Sequence, residues 1–285
     1  MSEPTAAPSS WTCPTCRQPV GSRFCPRCGE EPHAPRELTL AGLGEKLLHA
    51  LTSMDAKTAR TVWRLLRHPG ALTLSWTAGE RRPYVAPFQL FLLANVVFFA
   101  LQWATGIQVF SSSLDSHLHH QDWSDYAQQL VQRRLAATHR TLEAYAPVFD
   151  RVVVINAKSL ILLMALPFSA LLPLVFLRER RPFMAHVVFA LHHYTFLLLL
   201  FCVALVAARL SAWSGGGGLD SPRVDTVISL LNLAACAVYL HLAIGPVYGT
   251  RGWQRPAKAA LLAVGVAVIV IGYRFLMLLI TLYGT

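Results

Sequence analysis

Long apolar runs dominate the chain from residue 85 onward. Val85–Gly106, Ile155–Leu177, His186–Leu210, Val224–Tyr248 and Ala257–Leu282 each reach the roughly 20 residues a helix needs to cross a bilayer. The pattern predicts five membrane spans, the second kinked by Pro167 and Pro173. Spans one and two are separated by residues 107–154, far longer than a simple connection. There Tyr126, Leu130, Leu135, Leu142, Tyr145 and Phe149 recur near helical spacing, which predicts an amphipathic helix lying on the bilayer or capping the bundle. Upstream, Leu40, Leu43, Leu47, Leu51 and Met54 fall at steps of 3, 4, 4 and 3 and so share one helical face. Asp55 is placed to cap a second helix carrying Val62, Trp63, Leu65 and Leu66, which His68-Pro69-Gly70 ends. With Arg60, Arg64 and Arg67 alongside, these two helices fit two readings. They lie in the headgroup layer with the arginines toward anionic lipid, or they pack on the membrane bundle.

Composition supports a membrane protein. Only 14% of residues are charged and the mean hydropathy is +0.44, against about 25% charged in soluble domains. Lys and Arg outnumber Asp and Glu by 25 to 15, giving a net charge of +10. The first 83 residues hold eleven Lys/Arg and seven Asp/Glu, a surplus of four without an arginine-aromatic patch, so no nucleic-acid partner is expected. The excess belongs to topology. Arg81 and Arg82 precede span one, Arg178, Arg180 and Arg181 join spans two and three, and Arg251, Arg255 and Lys258 join spans four and five. With five spans all three clusters fall on one side, opposite the Gly-rich connection 211–223. The positive-inside rule then puts the N-terminus in the cytoplasm and the C-terminus outside.

The polar head carries the most specific pattern, Cys13-Pro-Thr-Cys16 and Cys25-Pro-Arg-Cys28, with the eight residues from Arg17 to Phe24 between the pairs. Each pair places two thiolates on one tight turn, and two such turns close a tetrahedral four-thiolate site for a structural Zn2+. Gly21 and Gly29 suit such knuckles. No apolar segment resembling a signal peptide precedes the cysteines, so they are expected on the reducing side, where metal binding is favoured over disulfides. A dithiol redox role is the weaker alternative, since only Arg17, Arg23 and Arg27 lie near enough in sequence to lower a thiol pKa. Cys202 and Cys236 lie within apolar helices and read as small buried hydrophobes. The organisation expected is therefore a disordered start (1–12), a zinc ribbon (13–36), juxtamembrane amphipathic helices (37–83) and a five-span domain (84–285) with an outer loop over 107–154. The fold class is all-α, a polytopic helical bundle with a small ribbon.

Two stretches resemble a known family. Arg64-Leu65-Leu66-Arg67-His68-Pro69-Gly70, followed by Ala78-Gly79-Glu80-Arg81-Arg82-Pro83-Tyr84-Val85-Ala86-Pro87-Phe88, is similar to the opening of a bacterial family of uncharacterised membrane proteins, filed as a domain of unknown function. Its members carry an N-terminal zinc ribbon, a Pro-Gly turn and a Gly-x-Arg-x-x-Tyr-x-x-Pro stretch entering the first span. Phe189-Ala190-Leu191-His192-His193-Tyr194 resembles a second family motif. The resemblance implies a multi-pass fold in the bacterial inner membrane and no particular activity.

Ionisable residues inside spans are candidate sites. His192 lies six residues into span three and His241 seven before the end of span four, so both sit roughly 9–11 Å deep in one leaflet at about 1.5 Å per residue. His192, His193 and His241 read as interhelical packing bonds, or as ligands or proton carriers. Adjacent His192 and His193 point about 100° apart, so one of them is expected to share the His241 face. Lys158 is placed to snorkel. Arg274, deeper in span five, reads as an anchor paired with Asp150, Asp225 or a lipid phosphate, or as a substrate site. In the outer loop, Asp115, His117, His119, His120 and Asp122 read as a solvated run or a transition-metal site. Gly215–Gly218 lacks the flanking strand and Lys-Ser/Thr of a phosphate loop. No nucleophile elbow or carboxylate pair marks an enzyme. The function expected is a membrane-anchored binding or assembly factor, its ribbon engaging a cytoplasmic protein and its inner face touching anionic headgroups of the lipid bilayer. A small permease lined by the histidines and Arg274 is the alternative, and an intramembrane cofactor enzyme the third.

Overall fold

A computed structural model describes residues 11–13, 16–22, 24–27, 56–80, 83–107, 109–179, 181–215, 218 and 221–285, with the side chains of 158, 159 and 222 outside the described set. Cys28, Gly29, the helix expected over 40–54, Arg81, Arg82, Arg180 and the Lys158 side chain thus lie outside the described residues. The chain divides into two units, Met1–Ala56 and Lys57–Thr285.

In the first unit, β1 (Trp11–Thr12) and β2 (Pro19–Val20) form an antiparallel pair in the register Trp11↔Val20 and Thr12↔Pro19. The second unit is helical. Residues 56–67 form α1, followed by α2 (Ala71–Thr77), α3 (Pro87–Thr105), α4 (Leu114–His119), α5 (Ser124–Thr138), α6 (Leu142–Leu160), α7 (Ala165–Val175), α8 (Phe183–Trp213), α9 (Pro222–Tyr248) and α10 (Gln254–Gly284). Proline marks several starts. Pro87 and Pro222 occupy first-turn positions, where the missing N–H costs nothing, and α8 follows Pro182. Ser113 and Thr141 cap α4 and α6 through their hydroxyls.

Helices α3, α8, α9 and α10 are each long and apolar enough to cross a membrane, and α6 with α7 passes the same test as a pair bent by 60°. The second span expected from the sequence, Ile155–Leu177, overlaps only the later part of this pair, which is bent sharply instead of gently kinked. Pro167 is the physical cause. Its ring clashes with the carbonyl four residues back, so α geometry fails one turn upstream, where Ile161–Met164 form a 3-10 turn. The pair follows α10 along nearly its whole length. Tyr145 bonds the Leu282 carbonyl, Tyr273 bonds the Ala157 carbonyl, Leu171 lies against Gly265, and the Lys258 ammonium sits 4.8 Å above the Phe176 ring. Residues rising from 145 to 176 meet residues falling from 285 to 258. That is the course a fifth span antiparallel to α10 would take, which brings the count to four spans, or five with this pair.

The segment 107–154 is also more structured than a single surface helix. Its apolar positions divide between α5, which buries Ala127, Leu130 and Val131, and the start of α6, which turns Tyr145, Phe149 and Val153 inward. His139, at φ 51°, breaks them apart.

Helix α8 is central, packing on α2, α3, α7 and α9. From Ala185 to Leu198 it is buried on every side, which explains a helix apolar all round. One end of the bundle is tied by a stack of rings. Phe176 after α7 lies 3.9 Å from Tyr248 at the end of α9, and the Tyr248 hydroxyl and His186 Nδ1 share a 2.9 Å hydrogen bond. Arg178, Arg181, Arg251, Arg255 and Lys258 flank these helix ends in sequence. The turn before α2 docks at the same end: Gly70, at φ +85°, presses its Cα onto α9. Leu72, Thr73 and Ser75 of α2 are buried, where the helix packs on α8 and α9. Helix α1 buries Thr61 and Leu65 and leaves Trp63 and Leu66 exposed.

Candidate metal centre and buried polar sites

The strand pair delivers the cysteines. The Cys13 N–H bonds the Gln18 carbonyl, and the Arg17 N–H returns to the Cys13 carbonyl at 2.8 Å, closing a tight turn around Cys13 and Cys16. Arg17 takes a left-handed φ of 56° to do so. The Trp11 indole N–H bonds the Ser22 carbonyl at 2.9 Å, holding the connection that carries Cys25 back to this turn. The sulfurs of Cys13, Cys16 and Cys25 lie within 4.8 Å of one another, with Cys16 and Cys25 at 3.4 Å. Tetrahedral zinc with bonds of ~2.3 Å sets sulfurs roughly 3.8 Å apart, so these three fit one ion. They are the only group of three such ligand residues found among the described residues.

The histidines go to separate partners. His192 Nδ1 shares a 2.9 Å bond with the Thr73 hydroxyl of α2. His193 Nε2 lies 3.7 Å from Cys236 Sγ on α9, its ring stacks 5.1 Å from Phe168, and its buried Nδ1 has no partner. His241 contributes its carbonyl, which accepts from Arg255 Nε at 2.6 Å. Among the described residues no hydrogen bond joins His241 to His192 or His193. These contacts join α2, α7, α8 and α9 through the histidine layer.

Arg274 has different surroundings. Ser111, Ser112, Ser113, Ser116, Asp150, Val154 and Arg274 line a pocket of about 330 Å³ between the start of α4, α6 and α10. The Arg274 guanidinium donates to Ser112 Oγ at 3.0 Å, while its buried Nε has no partner. Asp150 shares the pocket, but its Oδ1 accepts from the Leu114 N–H at 2.7 Å. Among the described residues Arg274 makes no ion pair.

In the outer segment the histidines divide. His119 and Asp115 pair at 2.9 Å with both side chains more than half exposed, and His120 lies at 4.0 Å from the same carboxylate. His117 turns inward, is 1% exposed and accepts from the Trp123 indole N–H at 3.3 Å. That bond requires a neutral acceptor nitrogen. Burial first, and the Arg274 charge second, pull the His117 pKa down to about 4. The unfolded imidazole titrates near 6.5, so the unfolded state binds more protons between these values. The stability gained from neutral His117 is thus complete above about pH 6.5 and is lost as pH falls toward 4, by up to about 3 kcal/mol. Detergent melting from pH 7.5 to 4.5 should therefore fall more steeply in the wild type than in His117→Gln. Equal slopes would place the pH dependence elsewhere.

Sequence reasoning missed Thr73, Cys236 and the serine run. Thr73 and His192 are 119 positions apart, and no periodicity links them. The serines looked like a loop, and only the fold sets them beside Arg274.

A family model described as a protein of unknown function (DUF3667) matches residues 55–99. This stretch contains the Pro-Gly turn that docks on α9 and the Gly79–Pro87 run entering α3. No curated protein and no solved structure matches the chain.

Proposed function

We propose that this chain is a membrane-anchored binding factor of the bacterial inner membrane. Its head, a zinc ribbon held by Cys13, Cys16, Cys25 and Cys28, meets a partner protein in the cytoplasm. The observation that carries this reading is the convergence of three cysteine sulfurs in a unit separate from the helical bundle. About 36 residues cannot bury enough apolar surface to fold alone, so a metal replaces the core. Phe24 remains 51% exposed on that head, an aromatic handle of the kind that anchors interfaces. The cationic residues gathered at one end of the bundle support placing that end in the cytoplasm, against anionic headgroups. The bonds of His192 to Thr73 and of His193 to Cys236 fit packing between helices, which supports a binding factor over a permease.

A photo-crosslinking amino acid replacing Phe24 in the full chain, expressed in cells, tests the reading. The expected result is a discrete protein adduct that disappears in Cys13→Ser/Cys16→Ser. An adduct indifferent to those cysteines, or none, contradicts it.

A further inference from the structure

We propose that the pocket beside Arg274 binds a zwitterion, a small group carrying an oxyanion and a primary ammonium a few ångströms apart. Two sources share that chemistry, the phosphoethanolamine headgroup of a lipid and a dissolved zwitterion such as an amino acid.

The charges in the pocket are held apart. Arg274 lies ten residues before Gly284. The Asp225 and Asp122 charges act on its guanidinium from a distance, and among the described residues neither carboxylate pairs with it, so a direct anionic partner would complete it. The protein supplies one serine hydroxyl to it and leaves the buried Nε without a partner. The serines complete an anion site. Ser112 Oγ accepts from Arg274, Ser113 Oγ from the Ser116 N–H, and Ser116 Oγ from the Gln121 amide. With these acceptor positions used, each hydroxyl keeps its proton to donate. A guanidinium edge and three O–H donors describe an oxyanion site. An anion alone would face the Asp150 carboxylate in the same pocket. Asp150 spends Oδ1 on the Leu114 N–H, and its Oδ2 has no hydrogen-bond partner among the described residues. A cation alone would face Arg274. A ligand carrying both signs satisfies both, and about 330 Å³ accommodates a group of that size.

The test uses the full-length protein in detergent, with binding measured by calorimetry. The probes are O-phosphoethanolamine, glycine, inorganic phosphate and ethanolamine. Phosphoethanolamine or glycine should bind at least about tenfold tighter than phosphate or ethanolamine, since either half alone forfeits a charge-assisted contact. Asp150→Asn keeps the acceptor for Leu114 N–H and removes only the charge. It and Ser112→Ala should each weaken zwitterion binding by about tenfold, and Arg274→Gln should abolish it. If Arg274→Gln fails to fold, Asp150→Asn decides. A second arm compares melting in nanodiscs of phosphatidylethanolamine and of phosphatidylcholine at equal anionic lipid. Higher melting with the ethanolamine lipid assigns the site to the bilayer. Equal melting with saturable binding of a soluble probe assigns it to a dissolved zwitterion. Phosphate binding as tightly as either zwitterion, unchanged affinity in Asp150→Asn, or no saturable binding of either zwitterion overturns the proposal.

Discussion

Replacing Cys13 and Cys16 together with serine is expected to remove bound zinc and unfold the head while the helical unit keeps its melting temperature. The strand pair contributes only two residues per strand, and among the described residues the buried hydrophobic set of the head is Cys13, Val20 and Cys25. Nothing there offsets the conformational entropy of the chain. Metal binding does, since structural zinc contributes about 10–16 kcal/mol of apparent free energy in small cysteine-rich domains. Amide exchange over residues 11–27 should rise to the rate of an open chain in the variant, and elemental analysis should fall from about one zinc per chain to none. Persistent protection of these amides in the variant would mean that something other than metal holds them. The division of the chain at Ala56 gives the reason to expect no change in the bundle.

The second large effect is expected at Gly70. A Cβ there would lie 2.7 Å from the Ala243 carbonyl oxygen and 3.0 Å from a Val247 methyl, at a φ of +85°. Left-handed backbone costs an alanine about 1–2 kcal/mol, and overpacking against backbone adds about 1–3. Gly79 separates the two terms, because its φ is +92° but nothing lies within 4 Å of its added Cβ. Gly70→Ala should therefore lower detergent melting by several degrees more than Gly79→Ala. Equal losses would show that α2 does not approach α9 this closely.

Much of the fold is legible in the sequence because bilayer thickness imposes a length on apolar runs. The expected spans three, four and five match α8, α9 and α10 within a few residues at each end. Span two was legible only in its second half. Glu143, Asp150 and Arg151 dilute the apolar signal of Leu142–Val154, although Tyr145, Phe149 and Val153 face inward. The cysteine centre was legible because ligand spacing is local. The partners of the intramembrane polar residues were not. Depth along a helix follows from residue count, but facing depends on the rotation of each helix. That is why the His192 imidazole meets Thr73, and among the described residues no hydrogen bond joins it to His241 at similar depth. Arg274 stood out as a charge in a span, yet its surroundings come from residues 111–116, 150 and 154, which only the return of α6 along α10 brings together.

Helices α6 and α7 are expected to cross the membrane together, making five spans. An odd number of spans puts the two ends of the chain on opposite sides, and an even number puts them together. The decisive measurement is a pair of side-specific reporters, one fused before Met1 and one after Thr285. The account predicts cytoplasmic signal from the first and external signal from the second. Both reporters on one side would contradict it, and would make the α6–α7 pair a re-entrant loop beside four spans.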